Sequence, residues 1–96
     1  MRLRLSARAL DDITAIRDYL MPRNPLGADK VRRTIASDCD LLEQFPNSGR
    51  PTDIPDIRVL PIVRYPYLIY HTIIADEIVV VHVRHSSRDA PTSTDF

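Results

Sequence analysis

The stretch that most constrains the fold of this chain is Ile78–Asp89, which changes from apolar to basic within a few residues. It opens with four consecutive β-branched residues, and such a run is typical of a strand buried on at least one face. Two histidines and two arginines follow, at positions 82, 84, 85 and 88. A rigid strand with polar side chains at its end is a suitable support for a binding or catalytic site. We therefore expect the rest of the chain to bury this strand.

The N-terminal part predicts a short edge strand and then a first helix. Residues 2–6 alternate charge and leucine with period two. The hydroxyl of Ser6 can accept a hydrogen bond from the first helical turn, so the helix is expected from about Ala7 to Leu20 or Met21. Its apolar stripe consists of Ala9, Ile13, Ile16 and Leu20. Its solvated side is expected to carry Asp11, Asp12, Arg17 and Asp18.

A second helix is expected from Pro25 to about Phe45. Asn24 is a candidate cap, and proline suits the first helical position because its missing N–H is not needed there. The short polar link favours packing of the two helices as an antiparallel hairpin. After the helix, Gly49 is free to take a positive φ. Residues 50–56 hold two prolines and no periodicity, so they are expected to form a loop.

Three further strands complete the predicted sheet. They are residues 57–62, residues 67–74 and the strand that follows the tight connection Ala75–Glu77. The predicted order is β-α-α-β-β-β, an α+β fold in which the helical hairpin packs on a small, mainly antiparallel sheet. Residues 1–90 are expected to form one domain, and residues 91–96 a flexible tail.

Both faces of this predicted sheet are apolar, although two helices can cover only one. In the last strand we expect Val79, Val81 and Val83 to share one face. The other face would carry Ile78, Val80, His82 and Arg84. Either the sheet curls and buries its second face, or a partner covers it.

Composition limits the classes of function that this 96-residue chain can have. Its 13 basic and 13 acidic residues balance, so net charge does not indicate a nucleic acid, a membrane surface or an acidic substrate. Lys30 is the only lysine; the arginine excess suits phosphate recognition but also follows from genomic base composition. The single cysteine, Cys39, excludes an internal disulfide and favours a reducing, cytoplasmic location. No apolar run is long enough to predict a membrane span.

The candidates for chemistry are basic. They are Arg50, Arg58, Arg64, Arg84, His85 and Arg88. If the strands pair as predicted, several of these residues could gather near one rim of the sheet. There they could bind phosphate and cleave RNA with the histidine as acid or base. The alternative is that Arg58 and Arg64 are ordinary strand ends that face Asp53, Asp56 or Asp89. No metal site, phosphate loop or other cofactor site is expected.

Other polar and aromatic strand residues have simpler interpretations. His82 stands between valines and is interpreted as structural, and His71 as a half-exposed strand residue. Tyr65, Tyr67 and Tyr70 could stack on nucleic-acid bases. In a strand, however, tyrosines more often fill the core or a partner interface.

Four motifs, in order along nearly the whole chain, resemble the ParE/RelE toxin superfamily. They are Ser6-x-x-Ala9-x-x-Asp12-Ile13-x-x-Ile16-x-x-Tyr19-Leu20, Leu42-x-x-Phe45-Pro46-x-x-Gly49-Arg50, Arg58-Val-Leu-Pro-Ile-Val-Arg-Tyr-Pro-Tyr-Leu-Ile-Tyr70 and Val81-x-Val83-Arg84-His85-x-x-Arg88-Asp89. Each motif is degenerate alone, but the four together are fairly specific. The resemblance is closer to the ParE branch, often labelled plasmid stabilisation proteins, and implies a toxin of a type II toxin–antitoxin pair.

The resemblance implies a target and an inhibitory partner. A ParE-like toxin would arrest growth by binding DNA gyrase, without being an enzyme and without specific DNA binding of its own. The six basic candidates would then contact the target. A cognate ParD-like antitoxin would hold the toxin inactive in a hetero-oligomer, with a helical tail along the hairpin and often an added strand at a sheet edge. The predicted antitoxin contacts are Leu10, Ile13, Ile16, Tyr19 and Leu20.

The enzyme alternative within the same superfamily is an mRNA endoribonuclease. RelE-type toxins use a set rich in lysine and arginine, which Lys30 alone cannot supply. A related RNase branch uses a glutamate, an arginine and a His-Tyr pair; Arg64 and His85 match, but Ser86 follows the histidine. If the chain is a ribonuclease, its catalytic residues would be Arg64, His85 and Arg88. A third interpretation is an inactive toxin-like binding module.

Overall fold

The computed structural model describes residues 1–87 and Pro91, and within these residues two helices lie on one five-stranded sheet. The elements are β1 Leu3–Leu5, α1 Ala7–Leu20, α2 Pro25–Gln44, β2 Arg50–Pro51, β3 Arg58–Pro61, β4 Tyr67–Ile74 and β5 Glu77–His85. The sheet order is β1-β5-β4-β3-β2. Only β1 is parallel to its neighbour in this sheet, and the other pairs are antiparallel. The predicted α+β fold is confirmed.

One correction concerns the segment after α2. The segment expected to be a loop contains the two-residue strand β2, because the turn at Gly49 (φ +84°) brings Arg50 opposite Val59. The predicted tail, residues 91–96, lies outside the described residues except for Pro91. No helix of the described residues is long and apolar enough to cross a bilayer.

Both helices begin at the predicted caps. The Ser6 hydroxyl accepts a hydrogen bond from the Ala9 N–H at 3.1 Å, and the Asn24 side chain accepts one from the Gly27 N–H at 2.9 Å. These bonds satisfy donors that the first helical turn leaves unpaired. Pro25 occupies the start of α2, where it displaces no hydrogen bond.

The main core lies between the helices and the sheet. Its buried members include Ala9 of α1, with Val31, Ile35 and Leu42 of α2, and Ile69, Ile78, Val80 and Val83 of the sheet. The stripe residues Ile13, Ile16 and Leu20 are partly buried and pack against this cluster. Burial of such side chains contributes about 1.5–3 kcal/mol each, so this contact holds the hairpin on the sheet.

A β-bulge in β5 changes the predicted faces of this strand. Tyr70 pairs with His82, but His71 pairs with Val80, so Val81 has no partner in β4. Val83 consequently joins Ile78 and Val80 in the main core instead of sharing a face with Val81. The sequence predicted that Val79, Val81 and Val83 share one face, opposite His82 and Arg84. This prediction is therefore wrong beyond the bulge.

The second face of the sheet is covered by the chain itself. Ile57, Val59 and Tyr70 are buried in a second cluster, against which Ile54, Leu68 and Val81 pack. Thr52 closes the covering loop, since its hydroxyl donates to the Ile57 carbonyl at 2.9 Å. No partner is needed to bury these residues.

Candidate functional site

Helix α1 is fixed to the bulge of β5 by the carboxylate of Asp12. Its Oδ2 atom accepts hydrogen bonds from His82 Nδ1 at 2.6 Å and from the Val83 N–H at 3.0 Å. Its Oδ1 atom accepts one from Arg8 Nε at 3.1 Å. The His82 side chain is 8% exposed and that of Asp12 is 16% exposed, so these bonds lie largely out of water. The expectation that Asp12 lies on the solvated side of α1 is therefore wrong. The interpretation of His82 as a structural residue agrees with its hydrogen bond to Asp12.

Ser6 makes the second attachment of α1 to the bulge. Its N–H donates to the Val80 carbonyl at 2.9 Å, and its hydroxyl donates to the Val81 carbonyl at 3.3 Å. Strand β1 ends at Leu5, and Ser6 and Asp12 bind backbone groups of β5 from Val80 onward, where β1 offers no further partners. The end of β5 that carries Arg84 and His85 is thus held in a defined position.

The structure divides the predicted basic residues between two ends of the sheet. Arg58 is the first residue of the four-residue strand β3 and Arg64 lies beyond its last residue, so these two arginines are at opposite ends of the strand. Arg50 and Arg58 lie at one end, where Arg50 pairs with Val59. The other end carries the turn with Arg64 and the end of β5 with Arg84 and His85. We call this second group the basic end; Arg88 and Asp89 lie outside the described residues.

Arg58 has a structural environment. Its Nη2 atom donates to the Gly49 carbonyl at 3.0 Å and its Nε atom to the Ser48 carbonyl at 3.5 Å. His71, its register partner in β4, also contacts the Ser48 carbonyl, through Nε2 at 3.1 Å. His71 is only 1% exposed, so the expectation of a half-exposed residue is wrong. Together these side chains hold the turn after α2 against the sheet.

The basic end has an ordered histidine. The Ser87 N–H donates to His85 Nδ1 at 3.1 Å, and the ring lies edge-on to Tyr67 with 5.4 Å between centroids. Because a backbone N–H can only donate, this bond assigns the ring proton to Nε2. His85 therefore presents a fixed N–H donor. Arg84 lies beside it and donates from Nε to the Tyr70 hydroxyl at 2.8 Å and from Nη1 to the His85 carbonyl at 3.1 Å.

An open groove lies between α1 and the basic end, with a volume of about 790 Å³. We call it the tyrosine groove, because Tyr19, Tyr65 and Tyr67 line it together with His85. Burial, and to a smaller extent the neighbouring Tyr19, raises the pKa of Tyr67. Tyr67 is buried in the main core and Tyr70 in the second cluster, whereas Tyr19 is 60% exposed.

The predicted antitoxin contacts fall into an exposed pair and a packed group. Leu10 is 52% exposed and Tyr19 is 60% exposed, whereas Ile13, Ile16 and Leu20 pack against the main core. Leu10 and Tyr19 are nine residues apart, which turns the helix by about 180°. They consequently flank the core stripe on opposite sides of α1.

Two features of the site were missed by sequence reasoning. The role of Asp12 was missed because helical periodicity alone puts it beside the charged Asp11, although the motif around Ser6 and Ala9 includes it. The second is Arg23, whose guanidinium lies 4.0 Å from the centroid of the Tyr19 ring and donates to the Tyr19 carbonyl at 2.7 Å. Arg23 follows Tyr19 by four positions, the spacing at which side chains along a helix meet. This spacing was the signal available in the sequence.

Cys39 is not suited to act as a nucleophile. Burial, followed by the charges of Asp38, Asp40 and Glu43, raises its pKa to about 11. The thiolate, which is the reactive form, is therefore scarce at neutral pH.

Taken together, the fold and its polar groups define a small α+β domain with an ordered basic end and exposed apolar side chains on a helical hairpin. The family model described as the ParE toxin of type II toxin–antitoxin systems, parDE, matches residues 3–90. Toxin RelE2 of Caulobacter vibrioides is 32% identical over 83 residues, which cover 84% of this chain and 90% of that protein. A structure of the chromosomal ParDE toxin–antitoxin system from P. aeruginosa matches with a TM-score of 0.81 and 27% identity, covering 88% of this chain and 95% of that one.

The chain belongs to the ParE toxin family of type II toxin–antitoxin systems. The ParE/RelE resemblance of its four motifs is thus confirmed, and the fold agrees with that of the ParDE structure.

Proposed function

We propose that this toxin arrests growth by binding DNA gyrase in the cytoplasm, and that a cognate ParD-like antitoxin neutralises it. The observation that carries this proposal is the family match, which extends over residues 3–90. The geometry of His85 supports a role in binding. Its Nδ1 atom accepts the Ser87 N–H, so the ring presents its Nε2–H as a hydrogen-bond donor to a partner.

The surface proposed to contact gyrase is the basic end. Arg64 is exposed in the turn before β4, and His85 presents its Nε2–H at the end of β5. Cationic and N–H donors of this kind suit carboxylates or phosphates of a macromolecular target. Arg50 and Arg58 lie at the opposite end of the sheet, and Arg58 holds the turn after α2. We therefore narrow the target surface to Arg64, Arg84 and His85, with Arg88 as a further candidate.

A supercoiling assay with purified gyrase tests this proposal. The wild-type chain should inhibit supercoiling of relaxed plasmid, and Arg64→Ala and His85→Ala should each weaken the inhibition. Arg33→Ala is the matched control, because Arg33 is an exposed arginine on α2 that is paired with Asp29. Absence of inhibition by folded wild-type toxin would exclude gyrase as the target. An equal loss of inhibition in all three variants would exclude the basic end as the surface that contacts gyrase.

The antitoxin is proposed to cover the exposed apolar side chains of α1. Because Leu10 and Tyr19 lie on opposite flanks of the helix, a partner that contacts both must pass around α1. Leu10→Asp and Tyr19→Asp, made separately, should each weaken the toxin–antitoxin complex by introducing a charge into an apolar contact. Val63→Asp is the control, since Val63 is an apolar residue that is 85% exposed in the turn before β4. Isothermal titration against the antitoxin would contradict the proposal if all three variants bound like the wild type.

The second candidate function, an mRNA endoribonuclease, is favoured by one observation. A relative that is 32% identical carries the name Toxin RelE2. In this case Arg64, His85 and Arg88 would form the catalytic set. Rapid translation arrest and cleaved mRNA on expression without antitoxin would support the nuclease, whereas filamentation with DNA-damage signalling would support gyrase. An inactive binding module would give neither phenotype.

A further inference from the structure

A further cavity, of about 540 Å³, lies at the corner of the sheet where β4 extends beyond β3. The last pair between these two strands joins Arg58 to His71, so the final residues of β4, Thr72–Ile74, project past β3. We call this cavity the corner pocket. Its volume falls within the range of pockets that hold a small ligand. It lies at the end of the sheet opposite to the basic end.

The corner pocket has an apolar wall of isoleucines and prolines. Ile73 is 43% exposed and Ile74 is 50% exposed, although the earlier residues of β4 are largely buried. The turn and loop around β2 complete this wall with Pro46, Pro51, Ile54 and Pro55. Proline has a fixed φ, so this wall has little conformational freedom to lose when a ligand binds. An apolar group in the pocket would remove isoleucine surface from water.

Arg58 places an ordered positive charge at this wall, where it is partly buried. One edge of its guanidinium is occupied, because Nη2 donates to the Gly49 carbonyl and Nε to the Ser48 carbonyl. These bonds orient the guanidinium and leave Nη1 without a hydrogen-bond partner among the residues that the structure describes. Within the same residues, Arg58 forms no ion pair. Its charge is therefore held in place but not neutralised by a neighbouring carboxylate.

Two other titratable groups line the corner pocket, and neither of them pairs with Arg58. Burial, and to a smaller extent the charge of Arg58, lowers the pKa of His71, while a bond to the Ser48 carbonyl opposes this shift. The imidazole is therefore largely neutral at pH 7. Asp56 is exposed, so water screens much of its negative charge. The guanidinium remains the group best placed to bind an anion.

We propose that the corner pocket binds a small apolar carboxylate, with its charged group on the Nη1 edge of Arg58 and its apolar part against Ile73 and Ile74. The planar guanidinium matches the geometry of a carboxylate. An inorganic phosphate or a nucleotide fits less well, because the apolar wall offers no donors to its remaining oxygens. The C-terminal residue of a peptide and a short fatty acid share the required chemistry. This inference goes beyond the proposed function, since the pocket lies outside the surfaces proposed for gyrase and the antitoxin.

An NMR titration of the isotopically labelled full chain tests the corner pocket with three probes. N-acetyl-leucine represents a peptide C-terminus, hexanoate represents a fatty acid, and N-acetyl-leucinamide has the shape of the first probe without its charge. The carboxylates should shift the backbone amide signals of Ile57, Ile73 and Ile74. The neutral amide should bind at least about 10-fold more weakly than N-acetyl-leucine, because it forms no charge-assisted hydrogen bond. Tighter binding of N-acetyl-leucine or of hexanoate would support the site and identify the source of its ligand.

Matched variants connect the binding to the charges of the pocket. Arg58→Gln should weaken carboxylate binding about 10-fold to about 100-fold, because a hydrogen bond to a charged group is lost. The control Arg50→Gln should bind like the wild type, since Arg50 is an exposed arginine at the same end of the sheet that does not line the pocket.

A second pair of variants tests the site without changing the contacts of Arg58 to the turn after α2. Asp56→Asn should strengthen carboxylate binding, because it removes a negative charge from the wall. Asparagine tolerates the positive φ of this residue, 66°, so the loop should keep its shape. Asp11→Asn removes the same charge from the exposed side of α1 and should leave binding unchanged.

Three results would overturn the inference. The first is the absence of signal shifts at the pocket with either carboxylate. The second is equal affinity for N-acetyl-leucine and its neutral amide. The third is equal binding by the Asp56→Asn and Asp11→Asn variants. The titration contains neither gyrase nor antitoxin, so this inference and the proposed function can fail separately.

Discussion

Asp12 Oδ2 lies 2.6 Å from His82 Nδ1, joining the first helix to the last strand across 70 positions of the chain. The same oxygen accepts the Val83 N–H just after the bulge. One carboxylate therefore fixes a side chain and the backbone of the strand that carries the basic end. Its loss should affect both stability and the position of His85.

Asp12→Ala is predicted to destabilise the protein by about 2–4 kcal/mol. The substitution leaves the His82 Nδ1–H and the Val83 N–H without their acceptor, at about 1–3 kcal/mol for each buried donor. Asp12→Asn should cost less, because the amide oxygen can still accept one of the two bonds. The exposed neighbour Asp11 provides the control, and Asp11→Ala should stay within about 0.5 kcal/mol. Urea denaturation would contradict the prediction if the two alanine variants were equally stable.

Elements controlled by local chemistry could be predicted from the sequence. The caps at Ser6 and Asn24, the positive φ at Gly49 and the hairpin connection after Ile74 all depend on residues within a few positions. Such short-range hydrogen bonds and steric preferences are visible in the order of residues. The helix bounds and the α+β fold were consequently close to the observed ones.

The geometry of the site could not be predicted in the same way. Residues 78–81 are all β-branched, so the sequence shows no alternation of residue types that would tell which of them share a face. It therefore carries no signal of the bulge at Val81, which reverses the faces of β5. The partner of Asp12 is 70 residues away, and periodicity within α1 cannot reveal it. The division of the basic residues follows from the strand pairing, since β3 begins at Arg58 and Arg64 lies beyond its last residue.

His71 is predicted to make stability dependent on pH below neutrality. Burial lowers its pKa, the hydrogen bond to the Ser48 carbonyl opposes this shift, and Arg58 adds to it. The unfolded chain, in which the pKa of histidine is about 6.5, therefore binds more protons than the folded chain at mildly acidic pH. The contribution is fully present above about pH 6.5, and it is lost as pH falls from there toward the folded-state pKa.

The variant His71→Gln isolates this effect, since glutamine can still donate a hydrogen bond to the Ser48 carbonyl but does not titrate. Between about pH 7.5 and about pH 5.5, wild-type stability should fall more steeply than that of the variant. The carboxylates titrate in both proteins and cancel in the comparison. Parallel slopes in urea denaturation at the two pH values would show that His71 does not control this loss.

Gly49→Ala is predicted to destabilise the turn after α2 by at least about 2 kcal/mol. Gly49 has φ +84°, and an added Cβ would lie 2.2 Å from the Val59 carbonyl oxygen, a backbone atom that can move only with β3. In contrast, a Cβ at Gly27 would meet only the Asn24 side chain. Gly27→Ala should therefore change stability by no more than about 1 kcal/mol, as gain in helix propensity offsets damage to the cap. Equal thermal stability of the two variants would contradict this account.

The hairpin between β4 and β5 is predicted to have a suboptimal residue at Ala75. Ala75 and Asp76 both have positive φ, of 51° and 63°, and they connect the paired residues Ile74 and Glu77. Two-residue hairpins of this shape favour asparagine at the first position, because alanine is strained there by its Cβ. Ala75→Asn should raise the free energy of unfolding by about 0.5–1 kcal/mol, and Ala75→Val should lower it, since a branched side chain increases the strain.

The opposite signs of the two changes separate backbone strain from side-chain packing, because Ala75 is exposed and neither variant gains a core contact. Thermal unfolding followed by circular dichroism would measure both, and a stabilising effect of valine would rule out strain as the cause.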